Sequence, residues 1–401
     1  MVHFLSVLFL SLFLIVFFSY LGYGVILYCA IKIKRFFKKS NQKDEQILSD
    51  DELPEVTFMV AAYNEERWIG DKIRNSLALN YPRDKIRFYF VTDGSTDSTP
   101  TIITDFAKGD KEFMIQLFHQ PERRGKIAAV ERVMEFVVTP IVVFTDANTD
   151  LNKEAIRKMI RHYKDPRVGA VAGEKRVAMS DKDEATGAGE GIYWKYESLL
   201  KKWDAELYSA IGAAGELFSI RTSLYRPVPP DTLIEDFYMT MKIAMAGYLI
   251  AYEPEAYAVE GHSASIGEEL KRKIRIAAGA LQVVWRLKPL LNPFKYGWLS
   301  LQYIAHRVLR WTIAPLALPL LFIINIVLAL AGVPWFGMIM LCQLIFYGLA
   351  ILGWYFERRK MKIKIFFVPY YFCMMNYAMY RGFFRWISGS QSVVWEKAKR
   401  A

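Results

Sequence analysis

Two long apolar stretches stand near the ends of the chain, with a segment of mixed polarity between them. Residues 2–31 and 311–356 contain no Asp, Glu, Lys or Arg. A helix needs about 20 apolar residues to cross a bilayer, so residues 1–31 predict one transmembrane helix. Residues 311–356 are long enough for two, and Gly332 and Pro334 between the apolar halves favour a tight turn. The chain is therefore predicted to cross a lipid bilayer three times.

Basic residues cluster directly after these stretches, at 32–39 and 357–364, and again between 381 and 400. Cytoplasmic segments of membrane proteins carry an excess of Lys and Arg. All three clusters are therefore predicted to be cytoplasmic, with the N-terminus of the first helix outside. The protein is expected in the cell (inner) membrane as a multi-pass protein.

Residues 363–387 are rich in aromatic side chains and contain Pro369. Tyr and Trp concentrate at the headgroup level of membranes. We therefore predict that 357–401 holds an interfacial or re-entrant segment followed by a cytoplasmic tail. A fourth span is the alternative, although it would export the basic tail.

Other features of the composition exclude several classes of function. The net charge of +11 is not accompanied by a basic and aromatic sheet motif or a recognition-helix pattern, so no nucleic acid partner is expected. The three cysteines lie in apolar stretches without paired spacing, which gives no support for a zinc site or disulfides. The glycine-rich segment 187–191 lacks a preceding strand and is expected to be a flexible loop rather than a phosphate loop.

Between the apolar ends, three runs of strand length each end in a polar motif. The runs are 56–62, 87–92 and 141–145, and helical spacing follows the first two. Alternating strands and helices predict an α/β domain over 50–290, with a mostly parallel sheet covered by helices. Ligands bind such sheets at the carboxyl ends of the strands, which is where the polar motifs lie.

Carboxylates dominate these motifs. Asp146 and Asn148 stand on alternate residues, where their oxygens could ligate a hard cation such as Mg²⁺ or Mn²⁺ or simply begin a turn. The segment 93–97, Asp-Gly-Ser-Thr-Asp, could equally be a helix N-cap. Glu235 and Asp236 could be an acidic pair at a helix start, or could supply the base for a proton transfer. The occurrence of the motifs at 93–97 and 146–148, in order, at successive strand ends favours a functional site.

In order and spacing the motifs resemble the family 2 glycosyltransferases, in the membrane-integrated branch similar to cellulose, hyaluronan and poly-N-acetylglucosamine synthases. The resemblance covers about 54–310 and the terminal tail. It implies a cytoplasmic GT-A domain that binds a nucleotide-sugar donor, expected to be a UDP-sugar. The sugar would pass with inversion to a carbohydrate or lipid-linked acceptor at the membrane face. Segment 291–310 would form interfacial helices, followed by two transmembrane helices within 311–356.

The resemblance also implies roles for the donor side of the site. Tyr63 and Glu65 would contact uracil and ribose, and Asp93 would hold the nucleoside. Lys126 would face the diphosphate.

The same resemblance assigns the metal and the base. Asp146 and Asn148 match the family's Asp-x-Asp metal motif, with Asn in place of the second Asp, so less negative charge faces Mg²⁺ or Mn²⁺. Asp236 matches the general base, with Glu235 beside it as a further catalytic carboxylate. Gly215 lies in a loop that would approach the acceptor sugar, although a plain tight turn is the competing interpretation.

The chain departs from the processive synthases at their Gln-x-x-Arg-Trp motif. Arg275 keeps the arginine, a catalytic contact to diphosphate, while Arg272 replaces Gln as a donor-side contact and Ile276 replaces Trp on the acceptor side. Three hypotheses follow: a polysaccharide or oligosaccharide synthase, a lipid-linked transferase making single additions, which Ile276 favours, and an inactive nucleotide-sugar-binding scaffold. Retention of the acidic residues argues against the scaffold.

Overall fold

The computed structural model describes residues 1–37, 48–109, 114–178, 186–261, 265–359, 361 and 363–390. Within that part, the chain forms two compact units. We call residues 31–178 and 201–261 the sheet unit, and residues 1–30, 186–200 and 265–390 the helical unit.

One mixed sheet of eight strands forms the framework of the sheet unit. The strands are β1 (Val56–Ala62), β2 (Ile86–Asp93), β3 (Met114–Gln120), β4 (Ile141–Asp146), β5 (Thr149–Leu151), β6 (Val168–Val177), β7 (Leu217–Arg221) and β8 (Leu249–Glu260). Their spatial order is β3-β2-β1-β4-β7-β6-β8-β5. The first four neighbours are parallel, whereas β7 runs antiparallel to both β4 and β6.

Buried apolar side chains explain why β1 and β2 are interior strands of this sheet. Val56, Phe58, Val60 and Phe90 are fully buried, which fits strands covered on both faces. The helices of this unit are α3 (Ile69–Leu77), α4 (Thr99–Gly109), α5 (Lys126–Met134), α6 (Ala155–Ile160), α8 (Glu235–Met245) and the end of α7 (Thr186–Leu207).

Long helices make up the helical unit. They are α1 (Val2–Phe17) and α2 (Tyr23–Phe37), joined by a π-helical turn, then α9 (Ile266–Arg286), α10 (Pro293–Tyr296), α11 (Trp298–Tyr303), α12 (Leu309–Trp311), α13 (Ile313–Leu330), α14 (Phe336–Arg358) and α15 (Lys364–Ile387). Among the described residues three helices are long and apolar enough to cross a membrane: Val2–Phe37, Ile313–Leu330 and Phe336–Arg358. They coincide with the three predicted spans.

The structure also differs from the sequence predictions. The expected flexible loop at 187–191 is wrong, because the backbone there is already helical from Thr186 onward. Within segment 363–387, Lys364–Ile387 form a continuous helix that includes Pro369, and its placement in or on the membrane stays a prediction.

The two compact units do not follow the predicted domain limits of 50–290. Residues 186–200 and 265–290, which lie inside those limits, belong to the helical unit. Contacts within that unit give the reason. Buried Glu197 of α7 forms ion pairs with Arg307 at 2.6 Å and Arg310 at 3.3 Å. A methyl group on Gly382 of α15 would come within 2.6 Å of Cβ of Ala277 in α9, so these helices pack closely.

Candidate active site

Two loops at the carboxyl ends of β1 and β2 are bonded to each other. We call 63–66 and 93–99 the paired loops. The Asn64 side chain accepts a hydrogen bond from the Thr96 amide at 2.8 Å, and the Asn64 amide donates to the Ser95 hydroxyl at 3.1 Å. The Glu65 amide donates to the Thr99 hydroxyl at 2.8 Å. Asn64 has a positive φ of 52°, which Asn tolerates better than most residues. These bonds fix the two loops side by side.

Asp93 connects the paired loops to the start of α5. Its carboxylate accepts hydrogen bonds from the backbone amides of Arg124 at 3.0 Å and Gly125 at 2.6 Å. The Arg123 guanidinium lies 3.6 Å from the ring centre of Tyr63, a cation–π distance. The structure thus brings Tyr63, Glu65 and Asp93 to one edge of the sheet. Their contacts to a nucleoside stay predictions.

Lys126, the first residue of α5, joins two acidic motifs. Its ammonium lies 2.9 Å from a carboxylate oxygen of Asp146 and 2.9 Å from one of Glu235. Burial acts to lower the pKa of Lys126, but the two carboxylates outweigh it and raise that pKa above its ordinary value. Burial raises the pKa of Asp146 in spite of this pairing, and the negative charges of Glu216 and Glu260 raise it further.

Asp236 lies close to the same lysine. A Cβ on Gly215 would be 3.4 Å from Oδ2 of Asp236 and 3.5 Å from Nζ of Lys126, so the Gly215 backbone faces both groups. Burial and the neighbouring Glu235 carboxylate raise the pKa of Asp236 to about 7. A carboxyl group whose pKa lies near neutrality suits proton transfer at physiological pH.

Segment 212–216 is held against the helix that carries Asp236. Gly212 has a φ of +81°, and a Cβ there would collide with the Phe237 ring at 2.2 Å. The Ala213 amide donates to the Thr240 hydroxyl at 3.1 Å, and that hydroxyl donates to the Asp236 carbonyl at 2.8 Å. The predicted acceptor-side loop is therefore packed against, and hydrogen-bonded to, the first turns of α8.

Several charged residues at this edge were missed by the sequence analysis. Buried Lys175 of β6 pairs with Glu216 and with Glu260 of β8. Burial acts to raise the pKa of Glu216, but Lys175 outweighs it and lowers that pKa. Because Lys175, Glu216 and Glu260 are far apart in the sequence, the sequence alone gives no signal for this group. We call Lys126, Asp146, Glu216, Glu235 and Asp236 the charged cluster.

Lys72 in α3 was also missed, although a signal for it exists. It occupies the apolar face of the helix with Ile69 and Ile73, and it is only 1% exposed. Burial lowers the pKa of Lys72 to about 7, against the attraction of Asp146 and Asp150. A charged residue on a buried helix face is the pattern that would have pointed to it.

The predicted contacts from the Gln-x-x-Arg-Trp region lie in the helical unit. Arg272, Arg275 and Ile276 fall within about one turn of α9 and are partly exposed. Arg272 pairs with Glu269 of the same helix at 3.0 Å. Their roles toward diphosphate and acceptor remain predictions.

The donor atoms at the end of β4 fit a hard cation. No group of three or more His, Cys, Asp or Glu residues converges on a metal position in the described part of the chain. Mg²⁺ and Mn²⁺ sites of nucleotide enzymes commonly use one or two protein oxygens together with substrate phosphates. The Asp146 carboxylate and the Asn148 amide, on the turn between β4 and β5, offer that number of ligands.

Known proteins resemble this chain in sequence and in fold. Residues 57–226 match the family model Glycosyl transferase family 2. The chain is 30% identical over 243 residues to a poly-beta-1,6-N-acetyl-D-glucosamine synthase of Staphylococcus aureus, covering 59% of this chain and 57% of that one. A synthase of the same name from Staphylococcus epidermidis is 29% identical over 270 residues, covering 66% of this chain and 62% of the relative. The chain thus spans less than two thirds of either synthase.

Among solved structures, a mannosyltransferase from Pyrobaculum calidifontis, in complex with GDP-Man and Mn²⁺, aligns with a TM-score of 0.71. The alignment covers 96% of this chain and 100% of that one at 23% identity. At that identity the likeness shows the fold, and it confirms the predicted α/β GT-A architecture. Residues 57–226 are therefore a glycosyltransferase domain of family 2, similar in sequence to that of the poly-beta-1,6-N-acetyl-D-glucosamine synthases.

Proposed function

We propose that this protein transfers a sugar, with inversion, from a nucleotide diphosphate sugar to a hydroxyl group of a carbohydrate or lipid-linked acceptor. The observation that carries the proposal is the placement of Asp236. Its carboxylate lies next to Lys126 and the Gly215 backbone, and its pKa is raised to about 7. A base with this pKa is deprotonated in a large fraction of molecules at neutral pH.

The residues then divide the chemistry as follows. Asp236 takes the proton of the acceptor hydroxyl while that oxygen bonds to the anomeric carbon. The bond from that carbon to the diphosphate breaks, and the leaving group carries away the electron pair. Lys126 stabilises the negative charge that develops on the diphosphate. A Mg²⁺ or Mn²⁺ ion held by Asp146 and Asn148 would supply further positive charge for that group.

Tyr63, Glu65 and Asp93 would bind the nucleoside, and Arg272 and Arg275 would contact the diphosphate. The domain's similarity to synthases of a β-1,6-linked N-acetylglucosamine polymer supports polysaccharide or oligosaccharide synthesis. Single additions to a lipid-linked acceptor are the second candidate. The aliphatic Ile276, in place of an indole that could stack on a sugar, favours that candidate.

We also propose that the protein is a multi-pass protein of the cell membrane with the sheet unit on the cytoplasmic side. Three apolar helices and the basic residues that follow them support this topology. Labelling of single cysteines introduced on the sheet unit, in intact and opened vesicles, tests the orientation.

The function is tested with the full-length protein in nanodiscs and a panel of radiolabelled UDP- and GDP-sugars with Mn²⁺. Transfer of label to endogenous lipid or to added oligosaccharide is expected from one donor, and sizing the product distinguishes polymer from single additions. Binding of nucleotide with no transfer from any donor would favour the inactive scaffold.

A further inference from the structure

Lys72 is a buried lysine under the turn that carries the two predicted metal ligands. It is 1% exposed, and its ammonium lies 5.7 Å from the ring centre of Phe58. Burying an ammonium group costs several kcal/mol unless it is well bonded. A methionine would fill similar space without that cost, so the position and partners of the charge require an explanation.

The hydrogen bonds of Lys72 all go to the two threonines that flank this turn. The ammonium donates to the Thr145 hydroxyl at 3.0 Å, the Thr149 carbonyl at 2.8 Å and the Thr149 hydroxyl at 3.2 Å. An ammonium has three hydrogens, so these three acceptors use its full capacity. Thr145 and Thr149 flank Asp146 and Asn148, which means that Lys72 contacts the turn at both ends.

The two threonine hydroxyls are arranged to accept from this lysine. Thr145 donates its hydrogen to the Glu216 carbonyl at 2.8 Å, and Thr149 donates its hydrogen to the Asp146 carbonyl at 2.9 Å. Each hydroxyl has one hydrogen, so oxygen lone pairs remain for Lys72. The same network thereby reaches Glu216, next to the Gly215 loop.

We infer that Lys72 is a positioning residue that fixes the geometry of Asp146 and Asn148 for a divalent metal. The inference rests on the metal assignment of the proposed function. Replacing a residue that orients a metal ligand without touching the metal typically changes the metal affinity by about 10- to 100-fold. Lys72 touches neither predicted ligand side chain through a hydrogen bond; it orients them through the flanking threonines.

The test is direct Mn²⁺ binding to the full-length protein, followed by electron paramagnetic resonance with and without UDP. We expect Lys72→Met to weaken Mn²⁺ binding about tenfold, and Lys72→Gln, which keeps two donor hydrogens, to have an intermediate effect. Thr149→Val, which removes an acceptor from the other side, should weaken Mn²⁺ binding as well, and Thr149→Ser should restore it.

Thr57→Val is the matched control for the loss of a buried polar contact. The Thr57 hydroxyl bonds to the Thr139 hydroxyl at 2.8 Å. Thr57 lies near the start of β1, at the opposite end of the strand from the paired loops. This variant should lower thermal stability and leave Mn²⁺ affinity unchanged.

Lys72 and Thr149 variants that lose thermal stability but bind Mn²⁺ like the unsubstituted protein would overturn the inference and leave Lys72 a structural residue. Failure of the unsubstituted protein to bind Mn²⁺, with or without UDP, would overturn it together with the metal assignment. Weakened Mn²⁺ binding by the variants of a protein that transfers no sugar would support the inference while the proposed function fails.

Discussion

The paired loops and the charged cluster lie at the carboxyl ends of neighbouring strands, yet they are stabilised by different forces. The loops are bonded through short side chains to backbone amides, as between Asn64 and Thr96. In the charged cluster, Lys126 is shared between Asp146 and Glu235 while Asp236 stands beside them. The loops therefore owe their shape to local bonds, whereas the cluster depends on the balance of buried charge.

This difference predicts different responses to substitution. A hydrogen bond between neutral groups contributes about 0.5–1.5 kcal/mol, while removing one partner of a buried ion pair costs about 3–5 kcal/mol. Changes in the loops should have local and modest effects. Changes in the cluster should alter charge, pKa values and chemistry together.

The largest effect is expected from Asp236→Asn. The amide keeps the shape of the carboxylate but accepts no proton, so transfer should fall by about 100- to 10,000-fold while UDP binding stays nearly intact. Single-turnover transfer and calorimetric UDP binding measure the two. A loss of UDP affinity as large as the loss of turnover would contradict the assignment of Asp236 as the base.

Asp146→Ala removes one carboxylate from the cluster and leaves Lys126 with Glu235. We expect Mn²⁺-dependent nucleotide binding to weaken about 10- to 100-fold, measured by titrating UDP at fixed Mn²⁺. Asp150→Ala, at an exposed position on the adjoining β5, serves as the control and should change binding little. Full activity of the Asp146 variant in excess EDTA would remove the metal from the mechanism.

Asp93→Asn tests the loop side of the comparison. Only one side-chain oxygen would remain for the amides of Arg124 and Gly125, at a cost of about 1–3 kcal/mol. Hydrogen exchange at these amides should accelerate accordingly, by about 5- to 150-fold. Asp97→Asn, in the same loop but bonded to the amides of Glu66 and Thr99 instead, should leave the Arg124 and Gly125 amides protected. Equal acceleration in both variants would mean that Asp93 has no special role at the start of α5.

The pH dependence of transfer tests the balance of charge in the charged cluster. With the pKa of Asp236 raised to about 7, the rate should rise about tenfold per pH unit below that value and level off above it. Glu235 contributes to the raised pKa, so Glu235→Gln should move the midpoint to lower pH. A midpoint that does not move would show that Glu235 exerts no charge effect on the base.

The raised pKa of Asp236 also makes the stability of the folded protein depend on pH, and linkage gives the direction of that dependence. Because the pKa of Asp236 is higher in the folded protein than its ordinary value of 3.8, its contribution is fully present below that value and is lost as pH rises through about 7. Compared with the unsubstituted protein in EDTA, Asp236→Asn should therefore gain thermal stability between pH 5 and pH 8. A constant difference in melting temperature over this range would contradict the raised pKa.

The smallest effect is expected at Ile276, outside both regions. An aromatic face contributes about 0.5–1.5 kcal/mol beyond burial, which corresponds to a several-fold longer residence of the acceptor end. Ile276→Trp should therefore lengthen the product, measured by gel sizing, and Ile276→Leu is the control. Long polymer made by the unsubstituted protein from few acceptors would show that retention comes from other residues.

The sequence was informative wherever structure is local. Strands β1, β2 and β4 were predicted within one residue because a buried apolar run ends abruptly in polar residues. The same contrast located Asp93 and Asp146, whereas Asp236 was assigned from the resemblance to the family. The bonds that tune these residues were hidden, since Lys126 meets Glu235, and Lys175 meets Glu260, only after distant segments have folded together.

The position of β7 in the sheet has a consequence for how the protein is made. This strand, Leu217–Arg221, fills the place between β4 and β6, although it follows both along the chain. During synthesis, the edge of β4 next to Asp146 thus has no neighbour until Arg221 has left the ribosome. An unpaired central strand is prone to association with other chains. The growing chain therefore passes through a stage in which the strand that ends at Asp146 has an exposed edge prone to association.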